Sequence, residues 1–168
     1  MKKKPLDQIR DEGLPIQQRS FRAQVESVDV DAREAVFSFS SEYEVRRWYG
    51  IEILDHSREA IDLERINNGG AFLMDHDTYD QRGVVLEAWL GDDSRCHCKI
   101  KFSRNPKGEE LLVDVADGIR TQVSVRYNVI DMVLERQEED LDYYRVLKWE
   151  PTAISSVSIA ADPSVGVG

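Results

Sequence analysis

Gln122-Val123-Ser124-Val125-Arg126-Tyr127-Asn128-Val129 alternates apolar and polar residues without a break, and a period of two is that of a half-buried strand. Val123, Val125, Tyr127 and Val129 share one face, while Gln122, Ser124, Arg126 and Asn128 share the other. The strand is expected to run from Thr121 to Leu134 and to fold back as Tyr143 to Lys148, around the acidic turn Gln137-Glu138-Glu139-Asp140. On this pattern Ser124 points to the solvated side, an ordinary surface serine unless a base stands beside it.

The same alternation extends in both directions. Downstream, Ile154, Val157 and Ile159 are expected to close the sheet. Upstream, Cys96 to Phe102 and Val84 to Leu90 read as strands joined by Gly91-Asp92-Asp93-Ser94. Ala71-Phe72-Leu73-Met74 is a short apolar strand that delivers Asp75-His76-Asp77 at its end, and Ile61 to Ile66 reads as a helical turn closed by Asn67-Asn68-Gly69-Gly70. Val45 to Leu54 reads as one strand with Gly50 as a bulge or close approach. Phe21 to Val28 and Val36 to Phe39 read as a hairpin around Asp29 to Arg33. The best helix is Lys107 to Ile119, with Leu111, Leu112, Val115, Ala116 and Ile119 at helical spacing and Asp117-Gly118 as the stop. Residues 1–19 form a polar lead-in broken by Pro5, Gly13 and Pro15, and residues 20–168 form one domain. The fold class is α+β: β-rich, a barrel or strongly curved sheet with one or two packed helices.

A chain of 168 residues, 41% hydrophobic and 32% charged, is long enough to bury a real core. Its net charge of −10 repels phosphate backbones and anionic lipids, which argues against nucleic-acid or membrane binding. No apolar run reaches the roughly 18 residues of a membrane span, and the basic start Met1-Lys2-Lys3-Lys4 is not followed by an apolar segment. Cys96 and Cys98, two apart on a strand, point the same way and are poorly placed to pair with each other. A cytoplasmic setting, or the inside of a particle built there, follows.

A serine hydroxyl becomes a nucleophile when an adjacent base takes its proton, and imidazole titrates near the working pH. Of the three histidines, His56 falls in a polar turn and His97 within a strand. His76 stands at the exit of an apolar strand, where a base would be held by stiff backbone, and Asp75 and Asp77 beside it are expected to favour its charged form. Two metal readings fit less well. Cys96-His97-Cys98 lacks the loop spacing of a tetrahedral zinc site and is better read as Cys96, Cys98, Ile100 and Phe102 inward with His97 outward. Asp75 to Leu86 begins like a calcium loop but lacks its turn glycine and its final glutamate. No cofactor or metal is expected, and a metal-dependent hydrolase around Asp75, His76 and Asp77 ranks last.

Four motifs in order carry a resemblance: Arg47-Trp48-Tyr49-Gly50-Ile51-Glu52-Ile53-Leu54, then Asp75-His76-Asp77, then Val123-Ser124-Val125-Arg126-Tyr127, then Ile154-Ser155-Ser156-Val157-Ser158-Ile159-Ala160-Ala161-Asp162-Pro163. From about Ser38 to Gly168 the chain resembles the tailed-phage prohead (procapsid maturation) serine proteases, distant relatives of the herpesvirus maturational proteases. The resemblance implies a herpesvirus-protease-like fold and a serine endopeptidase inside the procapsid, assembled in the bacterial cytoplasm. Its substrates would be the scaffolding part of the capsid protein and the protease itself, and self-association is a further implied contact. Ser124 would be the nucleophile, His76 the general base, and a backbone N–H hole would stabilise the oxyanion.

The chain departs from the family at three positions. Arg126 replaces the glycine after Ser-Val, and Ala160 replaces a proline near the tail. Ala153 stands where the family's glutamate would orient His76, a loss that costs roughly 10⁴ in turnover in a serine triad. Impaired catalysis is therefore expected, with Glu150 and His97 as the candidate substitutes. Glu150 is three residues away and expected on the opposite face. The alternative reading is a non-catalytic capsid-assembly module that binds scaffold. The family tail usually runs on, sometimes into a fused capsid segment, so Gly168 is read as either a chosen end or a self-cleavage end.

Overall fold

The computed structural model describes residues 17–22 and 25–159. Strands β1 (Gln17–Arg22), β2 (Val25–Asp29), β3 (Glu34–Ser40), β4 (Val45–Arg47) and β5 (Gly50–Leu54) precede a single helical turn, α1 (Glu64–Asn67). Then come β6 (Ala71–Met74), β7 (Asp77–Leu90), β8 (Cys96–Phe102), helix α2 (Pro106–Ala116), β9 (Gln122–Glu138) and β10 (Leu141–Val157). One 10-stranded sheet runs β1-β9-β10-β6-β7-β8-β3-β2, with β5 on β10 and β4 on β5. It curls until β1, near one end, comes alongside β3, near the other. Among the described residues the observed class is a β-rich curled half-barrel with two helices.

The long hairpin β9–β10 is the spine. It turns at Glu139 and Asp140, both at positive φ (44° and 66°), the conformation a two-residue type I′ hairpin demands. β10 continues through Trp149 and Pro151 to Val157, absorbing the separate closing strand expected from Ile154. Ile159 lies beyond it, 82% exposed, and Ala160 and the Ala161-Asp162-Pro163 motif fall outside the described residues. Along its other edge β10 receives β5, then Ile61, then β6, all parallel. The core is built on the apolar faces of these strands: Phe37, Phe72, Phe102, Tyr127, Tyr144 and Trp149 are fully buried, each contributing about 1.5–3 kcal/mol.

Several expectations are corrected. β1 begins at Gln17, inside the expected lead-in, and pairs with β9, so Phe21 does not belong to the β2–β3 hairpin. Val45 to Leu54 is two strands folded around Trp48 and Tyr49. Gly50 is the close approach: at φ 145°, its Cβ would lie 2.3 Å from the Asp142 carbonyl oxygen. α2 stops at Ala116, capped by Asp117, and opens with Pro106 behind Asn105, whose side chain accepts from the Gly108 N–H at 2.8 Å. His56 is not in a solvated turn. It is buried, its Nδ1 on the Leu54 carbonyl and its Nε2 on Ser40 Oγ, each at 2.8 Å.

The Arg47–Glu52 motif has a structural job. Glu52 is fully buried and accepts from the Tyr49 hydroxyl at 2.6 Å and from the Tyr127 hydroxyl, while Arg47 donates to the Tyr127 oxygen at 2.9 Å. Burial and the neighbouring Glu52 push the Tyr49 phenol far above its ordinary value, so it stays a donor. This network joins β4, β5 and β9 from the core side.

Candidate active site

Ser124 of β9 lies opposite Ser155 of β10, and Ser155 lies opposite Leu73 of β6. Residues directly opposite share a face, so these three look out of the sheet together. The next row on that face is Arg126, Ala153 and Ala71. This is not the solvated face that alternation suggested: Ser124 and Ser155 are both 0% exposed.

Part of the cover is the β6–β7 turn. β6 ends at Met74, opposite Asp77, and the chain reverses through Asp75 (φ 48°) and His76 (φ 59°). Two consecutive positive φ values are the type I′ signature, and Asp and His tolerate that region better than most residues. The turn is tied to the end of β10. Asp75 N–H donates to the Ser156 carbonyl at 2.9 Å, and His76 N–H donates to Ser155 Oγ at 3.1 Å. Arg120 adds a brace, donating from Nε to Ser156 Oγ at 2.9 Å and reaching Asp75 Oδ1 at 3.5 Å. His76 Nδ1 sits 3.3 Å from Ser155 Oγ.

His76 Nε2 and Ser124 Oγ are both buried without a hydrogen-bond partner, and so is Oε1 of Gln122, two residues before Ser124. Buried polar atoms are satisfied in the great majority of cases, and these three are exceptions on residues grouped around Ser155 and the end of β10. Burial holds His76 below the ordinary imidazole value, the Arg126 guanidinium lowers it further, and Asp75 opposes both. At neutral pH the ring is therefore uncharged, the form a general base requires. One row along the face opens a cleft of about 300 Å³, lined by Ala71, Leu73, Gln81, Arg126, Asn128 and Ala153.

These relations predict a pH effect. A lowered His76 value keeps the basic form available below the pH at which free imidazole protonates, so the acidic limb of any His76-dependent rate lies below that of ordinary histidine. Arg126→Gln removes one of the two lowering influences, and the limb should move up in pH. A titration of the His76 ring proton signal in both proteins checks this, and an unmoved midpoint would refute the role given to Arg126.

Neither proposed substitute for a glutamate at position 153 reaches His76. The β9–β10 register shifts between Pro151 and Ala153, so Glu150 stands opposite Asn128 on the same face as Ala153, contrary to simple parity. Its Oε1 accepts from Asn128 and Arg65, each at 3.3 Å. His97 is far across the sheet on β8, bonded to Asp93 at 2.9 Å and stacked on Trp89, and it is buried rather than outward. Cys96 and Cys98 face inward as expected, and burial pushes the Cys96 thiol up to about 12. Asp77 caps its own turn, accepting from Tyr79 N–H at 2.8 Å. Two polar contributors escaped the sequence reading, Ser155 and Arg120. Ser155 was within reach, since it shares parity with Ala153, whereas nothing in the loop sequence distinguishes Arg120.

No family model matches the chain. The major capsid protein of Halomonas phage phiHAP-1 is 51% identical to it over 134 residues, 78% of this chain. The chain spans about a fifth (22%) of that relative's length. Among solved structures, the bacteriophage T4 capsid assembly protease, gp21, is similar with a TM-score of 0.49 at 9% identity, over 84% of this chain and 94% of that one.

Proposed function

We propose that the chain is a serine endopeptidase domain of procapsid maturation, with Ser124 as nucleophile and His76 as general base. The observation that carries this reading is the pair of buried, unpartnered atoms, Ser124 Oγ and His76 Nε2, on strand β9 and on the β6–β7 turn, both flanking Ser155 of the intervening β10. They are the two atoms between which a proton must pass. In the proposed reaction Ser124 Oγ attacks a peptide carbonyl as its proton passes to His76 Nε2. The tetrahedral intermediate collapses, the imidazolium gives that proton to the leaving amine, and the acyl-enzyme is then hydrolysed.

The identity to a phage major capsid protein supports a capsid setting inside the procapsid. Because the chain corresponds to about a fifth of that relative, the proposal extends to a protease segment borne on the capsid polypeptide and cutting it, and itself, from within. The test is covalent labelling. Incubation with a fluorophosphonate, followed by peptide mapping, should place the adduct on Ser124, and mass spectrometry of co-expressed capsid precursor should show discrete trimming. An intact precursor together with an unlabelled Ser124 overturns the reading.

A second reading is a capsid-assembly module without chemistry. Ala153 favours it, since no carboxylate bonds to His76 among the described residues. It predicts co-assembly with capsid protein that is indifferent to both Ser124 and His76.

A further inference from the structure

We propose that Ser155 is the positioning residue of His76, with its hydroxyl occupying the place at Nδ1 that a carboxylate holds in the usual serine triad. The inference rests on Ser124 and His76 acting as nucleophile and base. Ser155 touches His76 twice, accepting from its backbone N–H at 3.1 Å and lying 3.3 Å from Nδ1. Those two contacts fix the ring at both its root and its rim. Among the described residues no other group bonds to Nδ1. The Asp75 carboxylate is turned to Arg120, Asp77 accepts from Tyr79, Glu150 is held by Asn128 and Arg65, and position 153 offers only a methyl. Arg126 and Arg120, the nearby cations, have no acceptor to offer Nδ1.

A hydroxyl has two acceptor sites and one proton. With its lone pairs receiving the His76 N–H and the Nδ1–H, Ser155 selects the tautomer that leaves Nε2 unprotonated. Nε2 is then able to take the Ser124 proton. Were Ser155 to donate to Nδ1 instead, Nε2 would carry the hydrogen and His76 could not serve as base. A neutral hydroxyl also does not stabilise the imidazolium as a carboxylate would, in keeping with the depressed titration of His76. Ser155 thus orients without charging, a weaker device than a carboxylate that keeps the base usable at lower pH.

The experiment is ¹⁵N NMR of histidine-labelled full chain, reading the His76 ring tautomer, beside turnover of p-nitrophenyl acetate. Wild type should show Nδ1 protonated and Nε2 bare. Ser155→Ala should shift the ring toward the Nε2–H tautomer and lower kcat by about 10- to 100-fold with KM little changed, the worth of one lost hydrogen bond to a charged transition state. Ser155→Thr, which keeps the hydroxyl, should restore both. A wild-type Nε2–H tautomer, or a Ser155→Ala protein whose tautomer is unchanged, overturns the inference. Because the tautomer is read without substrate, failure of the wild type to turn over ester or peptide counts against the protease reading and not against this contact.

Discussion

Alanine at Ser124, at His76, or at both together should lower turnover by one and the same factor. The two groups act as a unit: without the hydroxyl there is nothing to deprotonate, and without the imidazole the hydroxyl stays a poor nucleophile. The size of the factor is informative. A complete triad loses on the order of 10⁶ when its nucleophile is removed, whereas one already lacking its orienting carboxylate has lost about 10⁴ beforehand. With Ala153 in the chain and nothing in its place, the alanine variants should fall by only about 10². With Ser155 holding the ring, the fall should lie between about 10² and 10⁶. Single-turnover rates for the three variants settle it, and losses that multiply in the double variant would mean that Ser124 and His76 act independently. Both substitutions delete atoms that have no hydrogen-bond partner, Ser124 Oγ and His76 Nε2, so folding should survive. His76→Ala also frees Ser155 Oγ from Nδ1 but keeps the backbone donor of the turn.

The legibility of this fold varied with the range of the interaction. Ala71–Met74 and Cys96–Phe102 were readable to the residue because each is a short apolar or alternating run with polar punctuation on both sides. Alternation also separated Val123, Val125 and Tyr127 correctly from Ser124. What alternation cannot report is the cover over a face. Ser124 is buried through elements distant in sequence, and a polar face lying under a turn has the same pattern as one facing water. The Glu150–Ala153 relation failed for a different reason: the irregularity between Pro151 and Ala153 breaks the period of two, and only the partner strand reveals it. The His76 site was therefore half visible, its proposed base and nucleophile suggested by motif order and the group at Nδ1 hidden until β10 was laid against the turn. Glu52 was quoted as part of a motif without any reason for its presence. Its partners Tyr49, Tyr127 and Arg47 meet it only once β4, β5 and β9 converge.

That convergence makes Glu52→Ala the substitution expected to damage stability most. The side chain is 0% exposed and receives two phenolic hydroxyls, with Arg47 Nε 3.6 Å from Oε1. Deleting it removes the acceptor of two tyrosine hydroxyls and the ion-pair partner of a mostly buried guanidinium, and breaking a buried pair in this way costs about 3–5 kcal/mol. Against a typical total of about 5–15 kcal/mol this is a large fraction, and for a chain of this length it corresponds to a fall in Tm of roughly 6–20 °C. Glu52→Gln should fall between wild type and alanine, because the amide oxygen still accepts one hydroxyl while its NH₂ faces a second donor. Replacing the pair together, Arg47→Met with Glu52→Leu, should recover part of the loss, since no charge is then left unpaired. Thermal unfolding followed by circular dichroism measures all three. A Glu52→Ala protein that melts within about 2 °C of wild type, less than 1 kcal/mol in a chain this size, would show that the network is solvated in solution and contributes little. The consequence reaches the site as well. Tyr127 is three residues along β9 from Ser124, so the same carboxyl that anchors the core side of this strand supports the stretch in which Ser124 lies opposite Ser155.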